Sequence, residues 1–289
     1  MKLALAVTAW LVLSATTARA EPLQWNDDWP RFRKIGYVLT GASVGAALAV
    51  TVFIPFPDDP HWQGGILFDD AVRTSLRLRS PSARDGVRLA SDVTLFSSIL
   101  HVTLIDSLLV PLARRSGNVA VQLSLMNAQA FSLNILVATL LFKTVARERP
   151  LVQNCRGNPD YDPLCGAGDY ASFPSSHTST SFTAAGLTCV HHEFLPIYGG
   201  AWDSVACAGS LAVAFATGVF RVLGDRHHAT DVLMGGAAGF SLGYIYPWLF
   251  HYRYDLDDEQ ASASSSARWV VIPGGPADAP YGLSLAGAF

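Results

Sequence analysis

Residues Ile35 to Pro57 read IGYVLTGASVGAALAVTVFIPFP, an apolar run without a single charge. As a helix rising about 1.5 Å per residue, it is long enough to cross a hydrocarbon core of about 30 Å. Further apolar segments follow at Val93 to Leu112, Val119 to Phe142, Thr178 to Val190, Val205 to Phe220 and Val232 to Phe250. Gly, Ala and Ser are frequent in the last three, which suits close helix packing within a membrane. The pattern predicts an all-α fold, a membrane-embedded helical bundle of about five to six helices.

Composition agrees with that reading. Of 289 residues, 50% are hydrophobic and only 15% charged, with a mean hydropathy of +0.28; soluble domains carry roughly a quarter charged residues. So much apolar material excludes a disordered chain or a collagen-like fibre. The net charge of -3 provides no global basic field, so nucleic acid is not an expected partner and the bilayer is. Any anion site must be a local cluster of Arg and Lys.

The organisation reads as four parts. Residues 1–20 have the form of a secretory signal: Lys2, an apolar Leu3 to Leu13, and Ala18-Arg19-Ala20 as a small-x-small cleavage site. Residues 21–91 hold the first membrane helix and a loop region, in which Val72 to Leu78 has the pattern of an amphipathic helix whose arginines face lipid phosphates; a solvated loop is the alternative. Residues 92–252 form the helical core, and 253–289 a polar tail, flexible by default, with short extended pieces at Trp269 to Ile272 and Leu283 to Phe289.

Charges beside membrane helices are costly and call for an explanation. Here they gather at three helix ends. Lys143, Arg147, Arg149 and Pro150 stand where one apolar segment stops. Ser172 to Ser179 reads SFPSSHTS, in which Pro174 suits a helix start, Ser175 and Ser176 can cap it, and His177 falls in the first turn. The free N–H groups and the helix dipole favour an anion there. Finally, Arg221-x5-His227-x3-Asp231 spaces His227 and Asp231 four apart, on one face if both are helical. A carboxylate holding one imidazole nitrogen leaves the other free as a nucleophile. Taken alone, each group has a plainer explanation: a positive-inside flank, a capping serine pair, a structural His–Asp pair.

Together these groups resemble the signature of the type-2 phosphatidic-acid phosphatase superfamily, K-x6-RP, PSGH and SR-x5-H-x3-D, over Lys143 to Asp231. The resemblance implies that His227 attacks phosphorus to give a phosphohistidine and that Asp231 orients it. His177 would protonate the leaving group and then activate water, while Lys143, Arg149, Ser175, Ser176 and Arg221 hold the phosphoryl oxygens. It implies a lipid phosphate as substrate, the site at one membrane interface, no cofactor and no metal. The sequence departs from the pattern in three places: PSSH replaces PSGH, Phe220 stands where the pattern has Ser, and only five residues separate Lys143 from Arg149. The alternatives are a vanadate-dependent haloperoxidase-like oxidoreductase, whose site is similar, and a non-catalytic lipid-binding protein.

Of the four cysteines, Cys155 and Cys165 lie in the polar loop between the first two motifs, where a bridge would stiffen the rim. Cys189 and Cys207 read as buried packing residues; a metal held by Cys189, His191 and His192 lacks further ligands. Orientation presents a conflict. With the signal removed and every apolar segment crossing, the site faces the cytoplasm, whereas the bridgeable loop favours the opposite side. The expectation here is that Val93 to Leu112, carrying His101, Asp106 and Pro111, lies flat or packs internally. The site then faces the periplasm from a bacterial inner membrane.

Overall fold

The computed structural model describes residues 21–166, 170–253, 268–273 and 283–288; the signal-like residues 1–20 lie outside them. Residues up to Arg253 form one compact unit and the tail another. The first unit is helical: α1 (Lys34–Phe53), α2 (Asp69–Leu76), α3 (Pro81–Leu100), α4 (Val110–Ala113), α5 (Gly117–Val145), α6 (Val152–Gly157), α7 (Ser176–Phe194), α8 (Ala201–Leu223), α9 (Ala229–Phe240) and α10 (Tyr246–His251). The tail carries an antiparallel ribbon, β1 (Arg268–Pro273) with β2 (Leu283–Ala288), in register Arg268 to Ala288.

Among the described residues, four helical stretches are long and apolar enough to cross a membrane: Lys34–Phe53, Pro81–Ala113, Gly117–Val145 and Ala201–Leu223. The second contains Val93 to Leu112, expected to lie flat or pack internally; its length and composition suit crossing instead. Its polar residues face inward and are satisfied there: buried Asp106 accepts from Tyr198 Oη at 2.5 Å and from Thr188 Oγ1 at 3.3 Å. A carboxylate so engaged no longer bars a helix from crossing. The residues joining α3 to α4, His101–Leu109, are π-helical, as are Ser241–Ile245 between α9 and α10. Each π stretch precedes a proline, Pro111 or Pro247. A proline disrupts the normal i→i−4 ladder, and the wider π turn shifts it, so that the Val110 N–H bonds Ile105 C=O.

The passes have a common polarity. The lead before α1 sits at the start of α5 and the end of α7, since Leu23 N–H reaches Ser116 Oγ, Phe32 N–H reaches Gln122, and Trp29 packs on Phe194. The end of α1 lies beside the end of α5, where Lys143 stands over the Phe56 ring. One end of the bundle therefore collects residues 21–33, the starts of α5 and α8, and the ends of α4, α7 and α10. The other collects the ends of α1, α5 and α8 and the starts of α3, α7 and α9. All three chemical motifs lie at this second end.

Helix α7 is the hub, packed against α3, α5, α8 and α9. Its sequence is polar for a buried helix, and hydrogen bonds resolve this: Asn134 donates to Thr180 Oγ1, Ser181 to Thr217, and His191 bonds Tyr252 and Asn127. The α7–α9 contact is made by small residues. Gly235, Gly239 and Gly243 recur every fourth position and meet the backbones of Ser175, Ser179 and Thr183, so closely that a Cβ at Gly239 would stand 2.0 Å from the Ser179 oxygen. Cys189 and Cys207 are not separate packing residues, as expected, but a disulfide between α7 and α8. The two side chains face one another from neighbouring antiparallel helices.

Candidate active site

The first motif enters the site off a helix. Residue Ala146 takes a left-handed conformation, φ 42°, which ends α5. The next residues run extended beside the chain at Trp62, whose carbonyl accepts the Glu148 N–H at 2.9 Å. Arg149 thus lies beyond the helix, and its Nη1 donates to the Arg226 carbonyl at 3.3 Å. Lys143 remains on α5, its ammonium 3.8 Å from the Phe56 ring centre. The sequence places them five residues apart, and the structure places them on different surroundings.

The second motif starts α7. Ser175 is its N-cap and is buried. Its Oγ accepts from Thr178 N–H and Oγ1, while its own N–H donates to the Asp231 carbonyl at 3.0 Å. The expected phosphate role of Ser175 thus falls on groups already bonded within the protein. The unpaired N–H groups of this helix start are those of Ser176 and His177, which have no intrahelical acceptor. His177 Nε2–H donates to Asp92 Oδ1 at 2.8 Å. Asp92, on α3, has a half-exposed side chain and stands 4.0 Å from Arg221 Nη1.

The third motif closes the site. Arg221, in the last turn of α8, is 6% exposed, and its buried Nε has no hydrogen-bond partner. His227, 2% exposed, lies in the connection between α8 and α9 rather than on α9. Its Nδ1–H donates to the Ser172 carbonyl at 2.7 Å. Burial, then the charges of Arg149 and Arg221, push its pKa well below the ordinary range, with the Ser172 carbonyl pulling the other way. The imidazole is therefore neutral, and its Nε2 carries the lone pair.

Asp231 does not take the position the spacing suggested. Because His227 precedes the helix, the four-residue interval does not put both side chains on one face. The bonds of Asp231 go elsewhere: Oδ1 accepts from Arg147 Nη1 at 2.5 Å, and Oδ2 from Ser172 Oγ at 2.6 Å and His228 N–H at 2.9 Å. Sequence reasoning also missed Asp92 and Asp69 as parts of this end of the bundle, and gave Ser172 no role beyond opening the second motif. Only Asp92 had a signal, a lone carboxylate at the edge of an apolar run. The helix α2, read from the sequence as either a membrane-surface helix or a solvated loop, turns Arg73 inward: it binds Asp225 at 2.7 and 2.9 Å and also reaches Gln153 and Asn154. Among the described residues, no group of three or more His, Cys, Asp or Glu is arranged to hold a metal ion. His191 and His192 have other partners, and Cys189 is bridged.

The arrangement is a neutral buried imidazole with cations around it, a second imidazole paired to a carboxylate, and a helix start. These groups can bind a tetrahedral anion, attack it and exchange its protons. Parts of the chain are similar to known proteins. Residues 123–255 match the PAP2 superfamily. A lipid A 1-phosphatase of Porphyromonas gingivalis is 41% identical over 105 residues, 33% of this chain and 22% of that protein. A probable diacylglycerol pyrophosphate phosphatase of Schizosaccharomyces pombe is 29% identical over 96 residues, 30% of this chain and 34% of that protein. The chain thus spans about a fifth and a third of these two relatives. Among solved structures, a transmembrane PAP2-type phosphatidylglycerolphosphate phosphatase from Bacillus subtilis aligns with a TM-score of 0.48 and 18% identity, over 80% of this chain and 98% of that one.

Proposed function

We propose that this chain, whose residues 123–255 match the PAP2 superfamily, is a member of it and hydrolyses a phosphomonoester or pyrophosphate group on a membrane lipid. The observation that carries the reading is Arg221. A guanidinium held inside the protein with an unbonded Nε and one carboxylate at 4.0 Å is short of acceptors, and a phosphoryl group supplies them in the matching fork geometry. The two curated relatives, both named for removing phosphate from a lipid, support the same class.

In the proposed reaction the Nε2 lone pair of His227 attacks phosphorus in line with the leaving oxygen. The P–O bond breaks with its electron pair on that oxygen, which takes a proton from Nδ1 of the imidazolium form of His177, whose Nε2–H stays on Asp92. Water then attacks the phosphohistidine, giving its proton back to His177, and the P–N pair returns to His227. Arg149, Arg221 and the Ser176 and His177 N–H groups stabilise the equatorial oxygens throughout. With these fixed charges in place no metal is required, so chelators are expected to leave turnover intact and vanadate to inhibit it. We read the site as periplasm-facing; the Cys155–Cys165 bridge at the site end supports this reading, since a disulfide in a polar loop suits an oxidising compartment. Residue 21 then lies on the inner face, opposite to the placement an export signal at 1–20 would give.

The test is phosphate release from a panel of purified lipid monophosphates and pyrophosphates, with His227→Ala beside the parent. A radiolabelled substrate should leave an acid-labile, base-stable phosphoenzyme in the parent and none in the variant. Turnover at the parent rate in His227→Ala would refute the mechanism.

A further inference from the structure

The hydrogen bonds around His227 form a connected path. His227 Nδ1–H ends on the Ser172 carbonyl at 2.7 Å. Ser172 is itself fixed at two other points, its N–H donating to the Arg147 carbonyl at 3.0 Å and its Oγ–H to Asp231 Oδ2 at 2.6 Å. Arg147, fully buried, then binds the other oxygen of Asp231 at 2.5 Å, Thr230 Oγ1 at 2.9 Å, Asp69 Oδ2 at 2.8 Å and the Gly64 carbonyl at 3.0 Å. Its guanidinium carbon lies 4.0 Å from the Trp62 ring centre. Asp69 completes the structure by accepting from Ile66 N–H, Thr230 N–H and Thr230 Oγ1.

We propose that Ser172 and Arg147 are positioning residues for the nucleophile: Asp231 acts on His227 through Ser172, and Arg147, braced by Trp62, Gly64 and Asp69, holds Asp231 in place. The proposal rests on the reading of His227 as nucleophile. Its physical content is tautomer control. A carbonyl oxygen only accepts, so while the Ser172 carbonyl is held against Nδ1 the proton stays there and Nε2 keeps its lone pair. If that carbonyl swings away, the ring can turn or take the other tautomer, and Nε2 becomes a donor that cannot attack. Ser172 has no charge to offer phosphate and touches the reaction only through this ring. Arg147 has two carboxylates, a carbonyl, a hydroxyl and an aromatic face around it, and no capacity is left for substrate. Trp62, Gly64 and Asp69 all precede residues 123–255, the stretch that the family model matches.

Ser172→Ala removes one oxygen and leaves the carbonyl, so it tests the grip rather than the acceptor. Arg147→Lys keeps a cation but loses the fork. Each variant and the double variant would be purified in detergent, checked for folding by thermal melting, and assayed for phosphohistidine formation by rapid quench with radiolabelled lipid phosphate, alongside kcat and KM. The expected result is a KM within twofold of the parent in Ser172→Ala, with phosphoenzyme formation slowed at least tenfold. The double variant should be no slower than the slower single variant, because both changes break one path. Parent-like phosphoenzyme formation in folded Ser172→Ala would overturn the proposal, and so would a double variant slowed by the product of the two single effects. If Arg147→Lys does not fold, the Ser172→Ala rate decides alone. A parent that releases phosphate but traps no phosphohistidine would instead refute the nucleophile reading itself, and the proposal with it.

Discussion

Replacing Gly239 with Ala tests whether the α7–α9 contact sets the distance between the two catalytic helix starts. A Cβ at this position would stand 2.0 Å from the Ser179 carbonyl oxygen, and ordinary contact begins at 3.4 Å, so the backbones must part by about 1.4 Å. Neither partner can give way alone, because both are helix backbone. Helix α7 carries Ser176 and His177 at its start, and α9 begins two residues after His227, so the parting separates His177 from His227, the proposed acid–base group and nucleophile. It also stretches the Ser175 N–H to Asp231 carbonyl bond, now 3.0 Å. Overpacking of this size costs about 1–3 kcal/mol, while a misplacement of about 1 Å at a reacting centre costs roughly a hundredfold in rate. Activity should therefore fall further than stability: kcat lower by about two orders of magnitude, with a melting temperature reduced by only a few degrees. Phosphate release and thermal melting in the same detergent measure both. Gly209→Ala is the control, because its Cβ meets nothing within 4 Å on α8, and helix propensity alone favours it by up to ~1 kcal/mol. Parent-like kcat in folded Gly239→Ala would refute the argument that this contact fixes the site.

Three further outcomes are expected. Burial and the Arg147 charge push His228 down to about 4, from 6.5 in an unfolded chain; the unfolded state then binds more protons between these values, so stability falls as pH drops from about 6.5 to about 4, by about 3 kcal/mol. His228→Gln should flatten that part of a melting-temperature profile, and an unchanged slope would reject the assignment. Asp162 is buried between Arg84 and Arg88 at 2.8 Å from each; burial raises its pKa, but the two arginines and the Leu164 N–H outweigh this and hold it at about 2. Its contribution is therefore present above about 4 and lost as pH falls through about 2, and Asp162→Ala, which strands two buried cations, should destabilise by about 3–5 kcal/mol in thermal or denaturant melts. Reduction of Cys155–Cys165, a bridge spanning 10 residues, should lower stability by about 2–4 kcal/mol. An impermeant thiol reagent on intact cells should label these cysteines only after reduction, whereas labelling only after the membrane is permeabilised would put the site on the cytoplasmic face.

Much of the architecture was legible because a membrane helix declares itself in one dimension. The run Ile35 to Pro57 became α1, and Val119 to Phe142 became α5, because length and absence of charge are sufficient criteria for crossing. Val93 to Leu112 misled for a physical reason. Its Asp106 and His101 look prohibitive in isolation, and the groups that satisfy Asp106, Tyr198 and Thr188, lie more than eighty residues away. The Cys189–Cys207 bridge was hidden for the same reason, since one cysteine per helix says nothing about which faces meet. The three motifs do converge on one end of the bundle. Their internal geometry was less legible, because spacing rules hold only where the backbone is helical: Arg149 lies past a left-handed Ala146, and His227 lies before α9.

That last point changes how the His227–Asp231 spacing works. With both residues on a helix, the carboxylate would reach the imidazole directly. With His227 in the connection, Asp231 occupies the third position of α9, where a carboxylate reaches back to a cap N–H, and it takes that of His228 at 2.9 Å. The Nδ1 of His227 is left to a backbone carbonyl, which no residue type encodes. Any side chain at 172 would present that carbonyl; a hydroxyl also ties it to Asp231. The constraint on this position is therefore twofold, a carbonyl aimed by the turn before α7 and a hydroxyl aimed by Ser. In the arrangement proposed above, residues far apart in sequence, Trp62, Asp69, Arg147, Ser172 and Asp231, act on one ring nitrogen, so the proposal makes the part of the chain ahead of residue 123 necessary to the chemistry rather than an attachment to it.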